Sequence, residues 1–318
     1  MKSNLRRKKY FQLGMTGLLG LLLLSVTACG DNDNNVIIPV KVDPSNPWTV
    51  TATSAPWLTT NPIGDKHDGG WVYSAREDRI YAIYGNDNNG RTLYRINHIA
   101  ETSEIATTFV YGRHGAHPVI DDTGTSIYMP PSQETNELER YNTVTDTLET
   151  LAPAPTSGTF SHGAWKNSKL WITLNDNNLY SYDPAANSWS TPLYDFGARA
   201  NVAGSGPKSN LIYVIDDAGN FYSYDVTTGT TTTLTPHPTG FNLGGNAQFT
   251  WFGKTVGFIY ASASYSGTPA IYDIAKSTWH ELTDPKTPDN YAGHATYDTY
   301  RKRLYVTGSA AEAWYYQF

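Results

Sequence analysis

The chain has 318 residues, of which 39% are hydrophobic and 13% aromatic, and its formal net charge is −6. One cysteine excludes a disulfide within the chain and a thiolate-rich metal site, and the acidic balance argues against a nucleic-acid partner.

The N-terminus opens with Lys2, Arg6, Arg7, Lys8 and Lys9 and runs into an apolar stretch from Leu18 to Leu24. A basic cluster followed by a short apolar run and small residues is the pattern of a secretory signal peptide. The continuous apolar part falls short of the roughly 18 residues that a membrane-spanning helix requires. The run ends Val26-Thr27-Ala28-Cys29. That tetrad resembles the bacterial lipobox, so residues 1–28 are expected to be a signal peptide removed on the general secretion route. Cys29 is then the lipid-attachment residue, since its sulfur is the nucleophile that forms the thioether. Several acyl chains, each buried methylene contributing roughly 0.8 kcal/mol, would hold the protein at a bilayer. Losing the five leader cations leaves 18 Lys and Arg against 29 Asp and Glu, a net charge of −11. Gly30 supplies no acidic inner-membrane retention signal, which points to the cell envelope and its outer membrane.

Residues 29–46 are polar, with Asp31, Asp33 and Asn35 at alternate positions and Pro39 and Pro44 near the end. The glycine and distal glutamate of a calcium loop are missing, so the segment reads as a flexible tether. From residue 47 to 318 short apolar alternations recur and no helical period is sustained, which predicts an all-β domain.

A repeat runs through that domain. Six small-residue openings occur at Gly69-Gly70, Gly115-Ala116, Gly163-Ala164, Val202-Ala203, Gly244-Gly245 and Ala292-Gly293. Each is followed by a strand with an aromatic or apolar core, such as Ile80-Tyr81 or Leu170-Trp171. A third strand ends in a Tyr-Asp type pair at Tyr141-Asn142, Tyr182-Asp183, Tyr224-Asp225 and Tyr272-Asp273, with Ile96-Asn97 as a degenerate first copy. Seven residues after the tyrosine stand Leu148, Trp189, Thr231 and Trp279. Small residues suit strands crowding a central axis. The acid after tyrosine can close an Asx-turn. Tryptophan can fill the wedge between neighbouring blades while its N–H finds an acceptor. The last repeat stops at Phe318 without a fourth strand, and Trp48–Ala52 looks like an orphan fourth strand at the start of the domain. Pairing the two closes a ring and removes two sheet edges.

These small openings, Tyr-Asp pairs and trailing tryptophans resemble the kelch repeat, and Tyr182-Asp183-Pro184-Ala185-Ala186-Asn187-Ser188-Trp189 is close to its consensus. The resemblance implies a six-bladed kelch-like β-propeller of the galactose oxidase central-domain type over residues 47–318. The copper chemistry of galactose oxidase is not implied, because its cross-linked cysteine has no counterpart in the mature domain.

Equivalent positions of successive repeats converge at a channel mouth. Counting back from the small pairs selects Asp68, Arg113, His114, His162, Asn201, Asn242 and Tyr291, and His117 and His294 share a position just after the pair. Two readings stay open: polar groups bonding neighbouring blades, or a mouth where Arg113, His114 and His162 meet an anionic or polyhydroxy ligand. No metal or other cofactor is assigned. Gly204-Ser205-Gly206 lacks the spacing of a nucleophile elbow and reads as a turn. The adjacent acids Glu77-Asp78, Asp121-Asp122 and Asp216-Asp217 should point apart, and no catalytic pair stands out. The expected function is a non-catalytic binding or scaffold module, anchored to a membrane, for a glycan or protein partner. The alternative is a carbohydrate-acting enzyme, because bacterial kelch-like propellers include sialic acid mutarotases.

Overall fold

The computed structural model describes residues 53–54, 69–84, 90–112, 115–132, 135–158, 162–206, 208–238, 248–253, 257–262, 268–282, 295–307 and 313–318. Among them the chain forms six small antiparallel sheets, which are the blades of a six-bladed β-propeller.

Strand β1 (Thr53–Ser54) precedes the first blade, which contains β2 (Gly70–Ser74), β3 (Arg79–Ile83), β4 (Thr92–Asn97) and β5 (Thr102–Thr108). Blade 2 is β6 (Val119–Ile120), β7 (Ser126–Met129), β8 (Glu139–Asn142) and β9 (Thr147–Thr150). Blade 3 is β10 (Ala164–Lys166), β11 (Lys169–Thr173), β12 (Asn178–Asp183), β13 (Ser188–Trp189) and β14 (Tyr194–Asp195), with β13 and β14 together forming a broken outer strand along β12. Blade 4 is β15 (Ala200–Ala203), β16 (Leu211–Asp216), β17 (Phe221–Asp225) and β18 (Thr231–Leu234). Blade 5 is β19 (Gln248–Phe252), β20 (Phe258–Ser262), β21 (Ala270–Asp273) and β22 (Thr278–Glu281). Blade 6 is β23 (Ala295–Asp298), β24 (Arg303–Thr307) and β25 (Ala313–Gln317), and β1 pairs with β25 through Thr53↔Tyr315 and Ser54↔Trp314. The ring is therefore closed by a strand from the start of the domain, immediately after the expected Trp48–Ala52, which lies outside the described residues.

The innermost strands touch in ring order, with β2 against β6 on one side and against β23 on the other. Small residues are needed where they crowd. A Cβ on Gly69 would come within 2.0 Å of the Ile83 carbonyl oxygen, and one on Gly70 within 2.7 Å of His117 Nδ1 in the next blade. The core lies between blades rather than at one centre. Tyr81, Ile83 and Leu93 of blade 1 pack with Ile127, Met129 and Tyr141 of blade 2, and the other seams repeat that pattern.

The Tyr-Asp signature has a local cause in every copy. Asp183 Oδ1 accepts the N–H groups of Ala185 and Ala186, and Asp225 Oδ1 those of Thr227 and Thr228. Asp273, Asn142 and Asn97 do the same in their own hairpins. Each loop ends in a residue with positive φ: Glu101, Asp146, Asn187, Gly229 and Ser277. Both features reverse the chain between the third and fourth strands. The tyrosine also braces its loop, as Tyr182 Oη donates to Asn187 Oδ1 at 2.6 Å. Trp189 stands opposite Tyr182 and donates Nε1–H to the Ala152 carbonyl at 2.9 Å; Trp279 stands opposite Tyr272 and donates to the Thr235 carbonyl at 2.8 Å.

Candidate functional site

The register of the two inner strands defines one repeat position that points the way to the central channel. Val72, Val119, Ala164, Ala203, Thr250 and Thr296 each pair with the aromatic residue of the second strand in their blade. The next residue in each blade is Tyr73, Ile120, Trp165, Gly204, Trp251 or Tyr297, and all six line one cavity of about 750 Å³. The cavity sits where the first two strands of each blade turn into one another. It receives aromatic side chains from blades 1, 3, 5 and 6, together with Trp71, and smaller residues from blades 2 and 4.

Packing fixes several of these rings. Trp165 stacks on Tyr128 with centroids 5.2 Å apart and planes at 17°. Tyr297 leans on Phe252, and Trp71 donates Nε1–H to Tyr84 Oη at 3.2 Å. Trp165, Trp251 and Tyr297 are each partly exposed, so part of each ring remains accessible. Anchored aromatic rings with accessible surface are rigid, amphipathic contact area.

The charged groups of this mouth divide by what they already do. Asp121 accepts the Thr125 N–H at 2.9 Å and the hydroxyls of Thr123 and Thr125, so it closes its own turn. Asp122 and Arg76 are exposed on the rim. Lys166 is different: it is only 6% exposed, lines the cavity, and donates from Nζ to the Gly206 carbonyl of blade 4 at 2.9 Å. Burial pushes its pKa down, against a smaller opposing pull from Asp122.

Deeper in the channel a cavity of about 150 Å³ is lined by His117 and His162. Their rings stack with centroids 3.4 Å apart, and the Asn201 side-chain oxygen accepts the His162 backbone N–H at 3.0 Å. His162, Asn201 and His117 are thus brought together, joining blades 2, 3 and 4. Asp68, Arg113, His114, Asn242, Tyr291 and His294 lie outside the described residues, as does Cys29. The aromatic position does not keep a fixed spacing from the small pairs; it is equivalent between blades only in register with the aromatic of the second strand.

The acidic pairs do separate. Asp216 caps its hairpin through the N–H groups of Ala218 and Asn220, while Asp217 takes a two-point bond from Arg199, both contacts at 3.0 Å. Gly204-Ser205-Gly206 lies in the connection between β15 and β16, where Gly206 accepts the Ser209 N–H. Asp78, His98 and Asp298 place potential metal-ligating atoms within 4.8 Å of one another. The Arg301 guanidinium already occupies the cationic role there, donating to Asp78 at 2.7 and 2.8 Å and to Asp298 at 2.9 Å. Asp298 is fully buried; that burial would raise its pKa, but hydrogen bonds from His98 and Arg301 outweigh it and hold the carboxyl well below its ordinary range. Asp78 is lowered as well, chiefly by the bond from Arg301. The group is a charged clasp between blades 1 and 6 rather than an open metal centre.

No protein-family model matches the chain, and no curated protein matches it. Among solved structures it is similar to a structural genomics protein of unknown function from Bacteroides thetaiotaomicron VPI-5482, with a TM-score of 0.59 and 11% identity over 80% of this chain and 70% of that one. At that identity the likeness concerns the fold alone.

Proposed function

We propose that this chain is a kelch-type envelope lipoprotein, held at a membrane through Cys29, whose propeller binds a glycan without transforming it. The binding reading is carried by one observation: an aromatic residue recurs at a single repeat position in four blades and surrounds one channel mouth. A sugar ring has an apolar C–H face and a polar rim, and it is well matched by aromatic surfaces bordered by a few polar groups. The cavity's roughly 750 Å³ falls inside the range of about 300–1,000 Å³ typical of small-ligand sites. The Asx-closed hairpins and the tryptophan wedges support the kelch assignment, and the lipobox-like tetrad before Cys29 supports the anchor.

The test is thermal denaturation of the full chain, purified in a sugar-free detergent, against a panel of neutral and acidic oligosaccharides. A sugar that raises the melting temperature of the parent and not of Trp251→Ala is the expected result. If no sugar shifts the parent, the glycan reading fails. Mass spectrometry of the membrane fraction checks the anchor: acylated Cys29 is expected, with Cys29→Ser released to the soluble fraction.

A further inference from the structure

We infer that the ligand of the aromatic cavity is a carboxylated sugar ring, a hexuronic acid unit, with the Lys166 ammonium as its counter-charge; this rests on the glycan reading above. The inference begins from a comparison between blades. The position that Lys166 occupies in blade 3 is held by Asp121 in blade 2 and Asp298 in blade 6, one residue beyond the aromatic position in each register. Both aspartates close the turn that follows: Asp121 accepts the Thr125 N–H, and Asp298 accepts those of Tyr300 and Arg301. Blade 3 closes the same turn by other means. Lys166 pairs directly with Lys169 across the two-residue loop Asn167-Ser168, whose φ values of 49° and 59° are those of a type I′ hairpin. A lysine is therefore not required by the turn.

Nor is it required by an ion pair. An ammonium carries three N–H donors. Lys166 uses one on the Gly206 carbonyl, and among the described residues no carboxylate lies within ion-pair distance of it. A side chain 94% withdrawn from solvent with one neutral acceptor is a charge whose desolvation is not offset by a partner. The lowered pKa has the same cause. An anion entering the cavity would supply that partner.

The neighbouring groups narrow the class. Asp121 is engaged in its turn, and exposed Asp122 and Arg76 oppose one another in sign at the rim, so among the described residues one buried cation remains for the ligand. One cation matches a singly charged group better than a dianionic phosphate. The aromatic lining next to it calls for a ring with an apolar face. A pyranose bearing one carboxylate meets both conditions.

The experiment is isothermal titration of the full chain, in sugar-free detergent, with an oligomer of hexuronic acid and with its methyl ester, which keeps the rings and removes the charge. The parent is expected to bind the free acid at least tenfold more tightly than the ester. Lys166→Met should bring the two ligands to near parity, and Lys166→Arg should keep the preference. Melting curves of both variants establish that they are folded. Equal affinity of the parent for acid and ester, or a preference that survives in folded Lys166→Met, overturns the inference while leaving a glycan site standing. Binding of neither ligand, with a neutral sugar still stabilising the parent, also overturns it. Failure of every sugar overturns the glycan reading itself.

Discussion

The seam between blades 6 and 1 is closed by different chemistry from the seams between blades 2 and 3 and between blades 4 and 5. Between blades 2 and 3, and between blades 4 and 5, a tryptophan from the outer strand fills the wedge and bonds a carbonyl of the chain leading in from the previous blade: Trp189 to Ala152, Trp279 to Thr235. The closing seam instead carries Arg301, which reaches across 223 residues of sequence to grip Asp78 with two nitrogens and also holds Asp298, beside the buried His98. Tyr73 donates to Asp78 at 2.7 Å, and His98 is flanked edge-on by Tyr73 and Tyr305. Blades joined by a short connection are brought together by the chain itself, and their seams combine apolar packing with single bridging contacts, the two tryptophans above and, between blades 1 and 2, Arg95 donating to Tyr141 at 2.8 Å and to Asp146 at 2.6 Å. The first and last blades must meet after the longest loop closure in the domain. A directional, charge-assisted clasp favours one register there over near alternatives.

That contrast can be broken most sharply at Arg301. Arg301→Ala leaves Asp78 and buried Asp298 facing each other without a cation, and a loss of about 3 kcal/mol is expected, discounted for the partial exposure of the guanidinium. Urea denaturation measures it, and Arg301→Lys should recover only part of the loss because a single ammonium cannot grip two carboxylates in a planar fork. Trp279→Ala should cost about 2–3 kcal/mol, since the ring is half-buried and its site can partly relax. The loss at Trp279 should be independent of pH, which separates the two seams.

Acid should weaken the clasp. Asp298 and Asp78 both titrate below their ordinary range in the folded chain, so their contribution is complete above the unfolded value of about 3.9 and is lost as pH falls below it. A melting temperature that drops between about pH 4 and 2 in the parent, and drops less in Arg301→Ala, is the expected pattern. The smallest effect concerns the outer hairpins. Glu101 sits at φ 56°, where the equivalent residue of blade 4 is Gly229. Glu101→Gly should raise stability by about 0.5 kcal/mol, the relief of left-handed strain less the entropy of glycine, read from the urea midpoint.

Short-range chemistry was the legible part of this sequence. The Asx-turns after Tyr182, Tyr224 and Tyr272 and the tryptophans seven residues beyond a tyrosine each depend on neighbours within about ten residues, and each is where the repeat placed it. The clasp was not legible, because Asp78 and Arg301 read as ordinary turn residues until ring closure brings them together. The aromatic mouth lay between these cases. Tyr73, Trp165, Trp251 and Tyr297 are visible in the sequence, but their equivalence depends on strand register, and the spacing from the small pair to the aromatic differs between blades. Lys166 is likewise ordinary in sequence and becomes notable only through its burial and through the turn it does not need to close.

The central claim is that ligand enters at the mouth where the first two strands of each blade turn. Hydrogen–deuterium exchange of the full chain, with and without a saturating uronic acid oligomer, tests it directly. Slower exchange of residues 121–125, 166–169 and 250–253, with the outer hairpins at 142–147 and 225–230 unchanged, is the predicted result. Protection confined to those outer hairpins, or to residues 115–118 and 162–163 toward the opposite end of the channel, would contradict it.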